Sequence, residues 1–178
     1  MSVPTADRFP NPAGVARQSS NNFAQRDRPN PPGGVYARGK HGGTDIKPRR
    51  VGVDGDPLYP MWEGIVVSIG VAGGSGCWGP SYGNRVLIKH SKRHSHGSGR
   101  HKYWHTHVWY SFHAHLQHAP RVKPNQRVGI KTQLGNMGHT GTSGNTHCHT
   151  ETHLKPGWTD GLVDPFPIVE RRRLIEAA

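Results

Sequence analysis

Thr146-His147-Cys148-His149-Thr150-Glu151 holds two histidines one residue apart, framed by threonines. β-Branched residues favour extended backbone, and a strand sends alternate side chains to opposite faces. His147, His149 and Glu151 therefore share one face, and Cys148 turns to the other. Imidazole is the commonest metal ligand among side chains, so such a strand is a natural wall of a metal site. Taken alone, the pair fits solvated or core histidines equally well. Further upstream, His41-Gly42-Gly43-Thr44-Asp45 puts an imidazole and a carboxylate four residues apart, on one side of the chain. Its two glycines disfavour helix and favour close backbone packing. By itself this pair is also satisfied by an ion pair or a turn contact. His115 is a third signal, near the end of a long alternating segment. A hydrolytic zinc site needs three protein ligands and one open position for water. His41, Asp45 and one histidine of the 147/149 pair would supply two nitrogens and a carboxylate oxygen. The metal lowers the pKa of bound water to about 7. The remaining histidines could take the water's proton or hold the developing oxyanion.

The elements that must position these groups are short strands and turns. The chain has 178 residues, with 24 glycines and 15 prolines, a size and composition that point to one turn-rich β domain. Strands are expected at Met61–Ile69, Asn84–His90 and Lys102–Leu116, with a glycine-rich turn over residues 70–79. The loop over His90–Lys102 reads as basic, solvated surface or as a polyanion contact. In the segment ending at Leu116, Trp104, Thr106, Val108, Tyr110, Phe112, Ala114 and Leu116 form an apolar core face. Tyr103, His105, His107, Trp109, Ser111, His113 and His115 form a histidine-lined cleft face. The segment is long for one strand, so a bulge is expected, and it would change the parity of the residues before it. Residues 1–20 read as a flexible lead, 21–169 as the working domain, and 170–178 as a tail that forms part of a short C-terminal helix beginning at Ile168.

The formal charge of +12 predicts an acidic partner: nucleic acid, an anionic envelope or another anionic polymer. Cys77 and Cys148 are the two cysteines, enough for at most one disulfide; Cys148 is expected as a buried thiol. No apolar run approaches a membrane span, and the first ten residues do not read as a secretory signal.

These residues resemble the M23 metallopeptidases, the lysostaphin- and LytM-type endopeptidases that cut peptidoglycan cross-bridges. The family's His-x-x-x-Asp motif corresponds to His41-Gly42-Gly43-Thr44-Asp45. Its aromatic-x-His-Leu strand end corresponds to His113-Ala114-His115-Leu116, and its Gly-x-Thr-Gly loop to Gly138-His139-Thr140-Gly141. Its His-x-His corresponds to His147-Cys148-His149. The resemblance runs from about Asn21 to Val169 and includes Asp164-Pro165. It implies a mostly β fold, an antiparallel sheet with a central groove and long loops. It implies zinc ligands His41, Asp45 and His149, with His115 and His147 as catalytic histidines outside the ligand set. His113 stands where the family has a tyrosine. Asn125 stands near a turn where the family uses glycine, and asparagine tolerates the left-handed conformation such a turn needs.

The expected function is therefore a zinc-dependent endopeptidase acting on the peptide cross-bridges of peptidoglycan, with its positive charge drawing it to anionic envelope polymers. A phage lysin, made in a host cytoplasm or carried on the virion, fits the missing signal. A monomer with no stable nucleic-acid partner is expected. Two other classes compete: a non-catalytic virion protein of the same fold, and a basic nucleic-acid binder or nuclease.

Overall fold

The computed structural model describes residues 19–21, 41–96, 99–157 and 161–163. The C-terminal tail, Asp164-Pro165 and nearly all of the N-terminal lead lie outside the described residues. Ten strands are described: β1 (Ser19–Asn21), β2 (Thr44–Ile46), β3 (Pro57–Leu58), β4 (Gly64–Gly70), β5 (Asn84–His96), β6 (Tyr103–Leu116), β7 (Arg127–Val128), β8 (Gly135–Asn136), β9 (Cys148–His153) and β10 (Leu162–Val163). They form an open antiparallel sheet in the order β1-β2-β9-β6-β5-β4-β7, with β10 also on β9, and a small β3-β8 pair. The mostly β, antiparallel architecture is the one expected from the sequence. No helix among the described residues is long and apolar enough to cross a membrane.

Apolar side chains cover both faces of the sheet, unequally. The larger core takes Ile46, Val66, Val86, Ile88, Trp109, Leu116 and Cys148 from the strands. Leu58 of β3 and the loop residues Met61, Leu134 and Met137 close over them. The smaller cluster is Leu87, Phe112 and Ala114, packed with Trp78, Tyr82 and Tyr110. Cys148 is buried in the first core and Cys77 packs on the second, and both are free thiols. Asn125 has φ 67°, the left-handed turn conformation expected of it.

β6 has the expected length, but its faces differ from the simple alternation. Asn84 pairs with Leu116 while Val86 pairs with His113, so β6 carries one surplus residue at this point. His115 occupies this bulge with φ 60°. The irregularity lies after His113, not before it. Trp109, Ser111 and His113 therefore project to the larger core, and Phe112 and Ala114 to the opposite face. The surplus residue then returns Leu116 to the larger core. His113 is not on the cleft. It is buried beneath the sheet, and Trp104 (51% exposed) and Val108 (38%) are not core. His105 and His107 share parity with Trp109 and so lie on the face opposite the cleft.

The expected loop after His90 is also revised. β5 continues to His96 and pairs residue by residue with β6, from Ser91 with Val108 to His96 with Tyr103. β4 reaches only as far as His90 and β9 only as far as Tyr110. The hairpin thus runs on as a two-stranded ribbon past its neighbours, capped by a 3-10 turn at Gly99–His101. Its β5 half has no apolar alternation, which is why periodicity did not reveal a strand there.

His113 belongs to a buried polar chain. His90 Nδ1 donates to the Glu63 carbonyl (3.0 Å), the Ser111 hydroxyl donates to His90 Nε2 (2.7 Å), and His113 Nε2 donates to Ser111 Oγ (3.1 Å). Burial holds both rings neutral, pushing His90 down to about 4 and His113 to about 3. Unfolded, each titrates near pH 6.5. Below about pH 6.5 the unfolded state binds more protons than the folded one, so stability present at neutral pH is lost as pH falls toward 4. The expected loss at about pH 4.5 is on the order of 2–3 kcal/mol per ring, read as a falling urea midpoint. His113→Phe should flatten part of that slope. A midpoint that does not move between neutrality and pH 4.5 would contradict the account.

Candidate metal centre

The site forms where β2 meets β9 and β9 meets β6. Asp45 pairs in register with His149, and His149 pairs on its other side with Ala114. Directly opposed residues in antiparallel strands share a face. Asp45 and His149 therefore point together into the cleft, and the small Ala114 leaves room beside them. Gly43 makes the approach possible: a Cβ there would stand 2.3 Å from the Thr150 carbonyl oxygen. His41, just before this glycine pair, then reaches back over the same face.

Three ligand-type atoms converge. His41 Nε2 lies 3.1 Å from Asp45 Oδ1 and 3.1 Å from His149 Nδ1, and His149 Nδ1 lies 2.9 Å from Asp45 Oδ1. All three residues are buried. Zinc bonds of about 2.0–2.1 Å in a tetrahedral set place ligand atoms roughly 3.3 Å apart. Two nitrogens and one carboxylate oxygen at this spacing fit such an ion and leave a corner open. The metal-ligand set expected from the sequence is thus brought together.

Behind His149 stands Glu151, nearly inaccessible to solvent. Its Oε1 accepts from His149 Nε2 (2.9 Å) and from the Tyr82 hydroxyl (3.0 Å), and its Oε2 accepts from His153 Nε2 (2.8 Å). This fixes the His149 tautomer and turns Nδ1 toward Asp45, the usual arrangement of a carboxylate behind a metal-binding histidine. Burial opposes ionisation of both carboxyls, but bonds from the histidines prevail. Those from His149 and His41 hold Asp45 far below the usual carboxylate range, and those from His149 and His153 lower Glu151. Burial would lower His149, but its bonds to Asp45 and Glu151 raise it instead. A positive charge is favoured at the centre of this group.

His115 and His147 face the same cleft, with ring centroids 4.7 Å apart. His115 Nδ1 donates to the Thr140 carbonyl at 2.7 Å, and His147 Nδ1 to the Asn145 carbonyl at 2.8 Å. A carbonyl only accepts, so each neutral ring keeps its proton on Nδ1 and a bare lone pair on Nε2. Burial pushes His115 down to about 4, which keeps it neutral. His147 Nε2 lies 3.6 Å from Asp45 Oδ1. The groove is about 690 Å³ and also takes in Tyr82, Ser143 and Asn145.

All five residues singled out from the sequence meet in this groove. The supporting roles of Glu151, Tyr82 and His153 were missed. For Glu151 and His153 the signal was available, since both continue the parity of His149. Tyr82 ends a short 3-10 turn, Pro80–Tyr82, with no pattern to mark it. Glu151→Gln, which keeps shape but removes charge, is expected to weaken metal binding about 10–100-fold. Competition with a chelator of known affinity measures this, and an unchanged affinity would count against the role.

The fold is shared with solved peptidases. A zinc-containing peptidase from Vibrio cholerae superposes with a TM-score of 0.55 at 24% identity, over 88% of this chain and 39% of its own. The catalytic domain of the antimicrobial peptidase lysostaphin from Staphylococcus simulans gives 0.57 at 18%, over 86% and 92%. The catalytic domain of a variant of the prophage-encoded M23 protein EnpA from Enterococcus faecalis gives 0.57 at 19%, over 89% and 95%. The chain thus spans about two fifths of the length of the Vibrio protein and nearly all of the two catalytic domains. No protein-family model and no curated protein sequence matches it.

Proposed function

From the premise that the chain carries the fold of the M23 peptidases, we propose that it is a zinc-dependent endopeptidase of peptidoglycan cross-bridges. The observation that carries this reading is the meeting of His41 Nε2, Asp45 Oδ1 and His149 Nδ1 at about 3 Å, with Glu151 bracing His149 from behind. Zinc held by these atoms would act as a Lewis acid toward the scissile carbonyl and make water nucleophilic near neutrality.

The chain's own residues supply the proton handling. His115, neutral and locked by Thr140, offers Nε2 to the groove as the base that takes the attacking water's proton. His147, locked by Asn145, offers a second Nε2 on the same side. Once protonated, either ring presents an N–H to the developing oxyanion or to the departing amine. Tyr82 and the 142–146 loop border the space in which a peptide would lie.

The charge of +12 favours substrates with free carboxylates, so diaminopimelate-type walls are the preferred target class. Activity on whole sacculi should then fall several-fold as salt is raised from about 0.05 to 0.5 M, as screening shortens the reach of that charge. Salt-independent digestion would remove charge steering from the account. A phage lysin is the biological role we infer, in line with the prophage origin of EnpA. The deciding experiment is digestion of purified sacculi by the zinc-loaded chain, with mass spectrometry of the fragments. New amino termini within cross-bridge peptides are expected. Intact cross-bridges would refute the proposal.

A further inference from the structure

The acids of this chain are unevenly placed. No Asp or Glu stands between Gly64 and Thr150, so β4, β5, β6 and β7 contain no carboxylate. On the neighbouring strand β9, Glu151 is buried and bonded to His149 and His153. Glu63 stands just outside β4.

The bases of this region line up on one face. Thr106 and Tyr110 share parity with Phe112 and Ala114, on the groove side of β6. Arg93 pairs with Thr106, and Lys89 with Tyr110. On its other side Lys89 pairs with Ile65, and Ile65 with Arg127. Opposed residues share a face, so Arg93, Lys89 and Arg127 all project to the groove side. All three are exposed. Four residues of β5 set Lys89 and Arg93 roughly 14 Å apart, and two strand spacings set Arg127 roughly 10 Å from Lys89. Trp104, on the same face, gathers two cations: Arg93 and Lys102 lie 4.6 and 4.9 Å from its ring centroid.

We propose that this face, from Arg127 across Lys89 to Arg93 and Lys102, binds a phosphodiester polymer of the cell envelope. Cations at this spacing suit a chain that carries one negative charge per repeat; a single small anion could touch only one or two of them. Guanidinium groups match phosphate oxygens in geometry as well as charge. Single-stranded nucleic acid is bound on aromatic rings left open to stack with bases. Here the exposed indole already carries Arg93 and Lys102, and Tyr110 is half-buried in the smaller cluster. The surface thus reads charge rather than bases. The groove opens on the same face, so a wall polymer lying here would keep the chain beside its cross-bridges. That choice of polymer rests on the endopeptidase reading.

The test is binding of the full chain to labelled poly(glycerol phosphate) at low salt, followed by fluorescence anisotropy. Lys89→Gln/Arg93→Gln should bind about 10-fold more weakly, with a log–log salt dependence shallower by roughly one to two. Arg121→Gln/Lys123→Gln removes the same charge on either side of Val122, which packs in the larger core, and should bind like wild type. Absence of binding by wild type, or equal weakening by the two variants, overturns the proposal. So does tighter binding of wild type to an oligothymidylate with the same number of phosphates, which would make the ligand a nucleic acid. The probe has no peptide, so such a failure leaves the endopeptidase reading standing. Intact cross-bridges in the sacculus digestion would in turn leave the measured polymer affinity unchanged.

Discussion

Asp45→Ala is expected to yield a folded chain that retains no groove metal and digests sacculi more than about 10³-fold more slowly. Oδ1 of Asp45 lies 3.1 Å from His41 Nε2 and 2.9 Å from His149 Nδ1. It is the one carboxylate of the three candidate ligands, so its removal leaves two imidazoles and no anionic ligand for a dication. β2 is held to β9 by backbone pairing from Thr44 to Ile46, which the substitution does not touch. Circular dichroism should therefore remain near wild type while metal content and turnover fall together. Asp45→Asn separates charge from shape and should bind metal weakly. Wild-type turnover by a dialysed, metal-poor Asp45→Ala chain would sink the zinc reading.

His115→Ala is expected to separate chemistry from metal binding. Turnover should drop by about 10²–10⁴-fold, the range of a lost general base, with groove metal retained. His115 belongs to no ligand set, and its ring is fixed by the Thr140 carbonyl rather than by Asp45. The backbone already holds φ 60° there, so alanine inherits a strained conformation and glycine relieves it. His115→Gly should accordingly be at least as stable as His115→Ala and equally slow. Fragment release assayed beside metal content decides the matter. A loss of metal in parallel with activity would make His115 a ligand or a structural prop instead.

How much of this was legible beforehand differs residue by residue. His147 and His149 lie on one face with Cys148 beneath because period two holds without interruption through β9. Gly43 was legible as a close contact, although only the pairing with Thr150 shows what it approaches. The parity of β6 failed because a bulge leaves no mark in composition: His113 and His115 look equivalent in sequence, yet one lies under the sheet and the other over it. The ribbon failed for another reason. Its β5 half buries no apolar face, so the alternation that reveals strands is missing, and only the pairing with β6 makes it extended. Tyr82 depends wholly on tertiary contact, since its bond to Glu151 spans 69 positions.

The surplus residue in β6 makes this segment intolerant of changes in length. Losing any one position between Phe112 and Leu116 would restore an even pleat, carrying the groove imidazole to the underside or Leu116 up into water. Side-chain exchange at the same positions leaves the count, and hence the geometry, intact. Relatives that keep the chemistry should therefore hold this stretch to one length, with His115 in place and no single insertion or deletion.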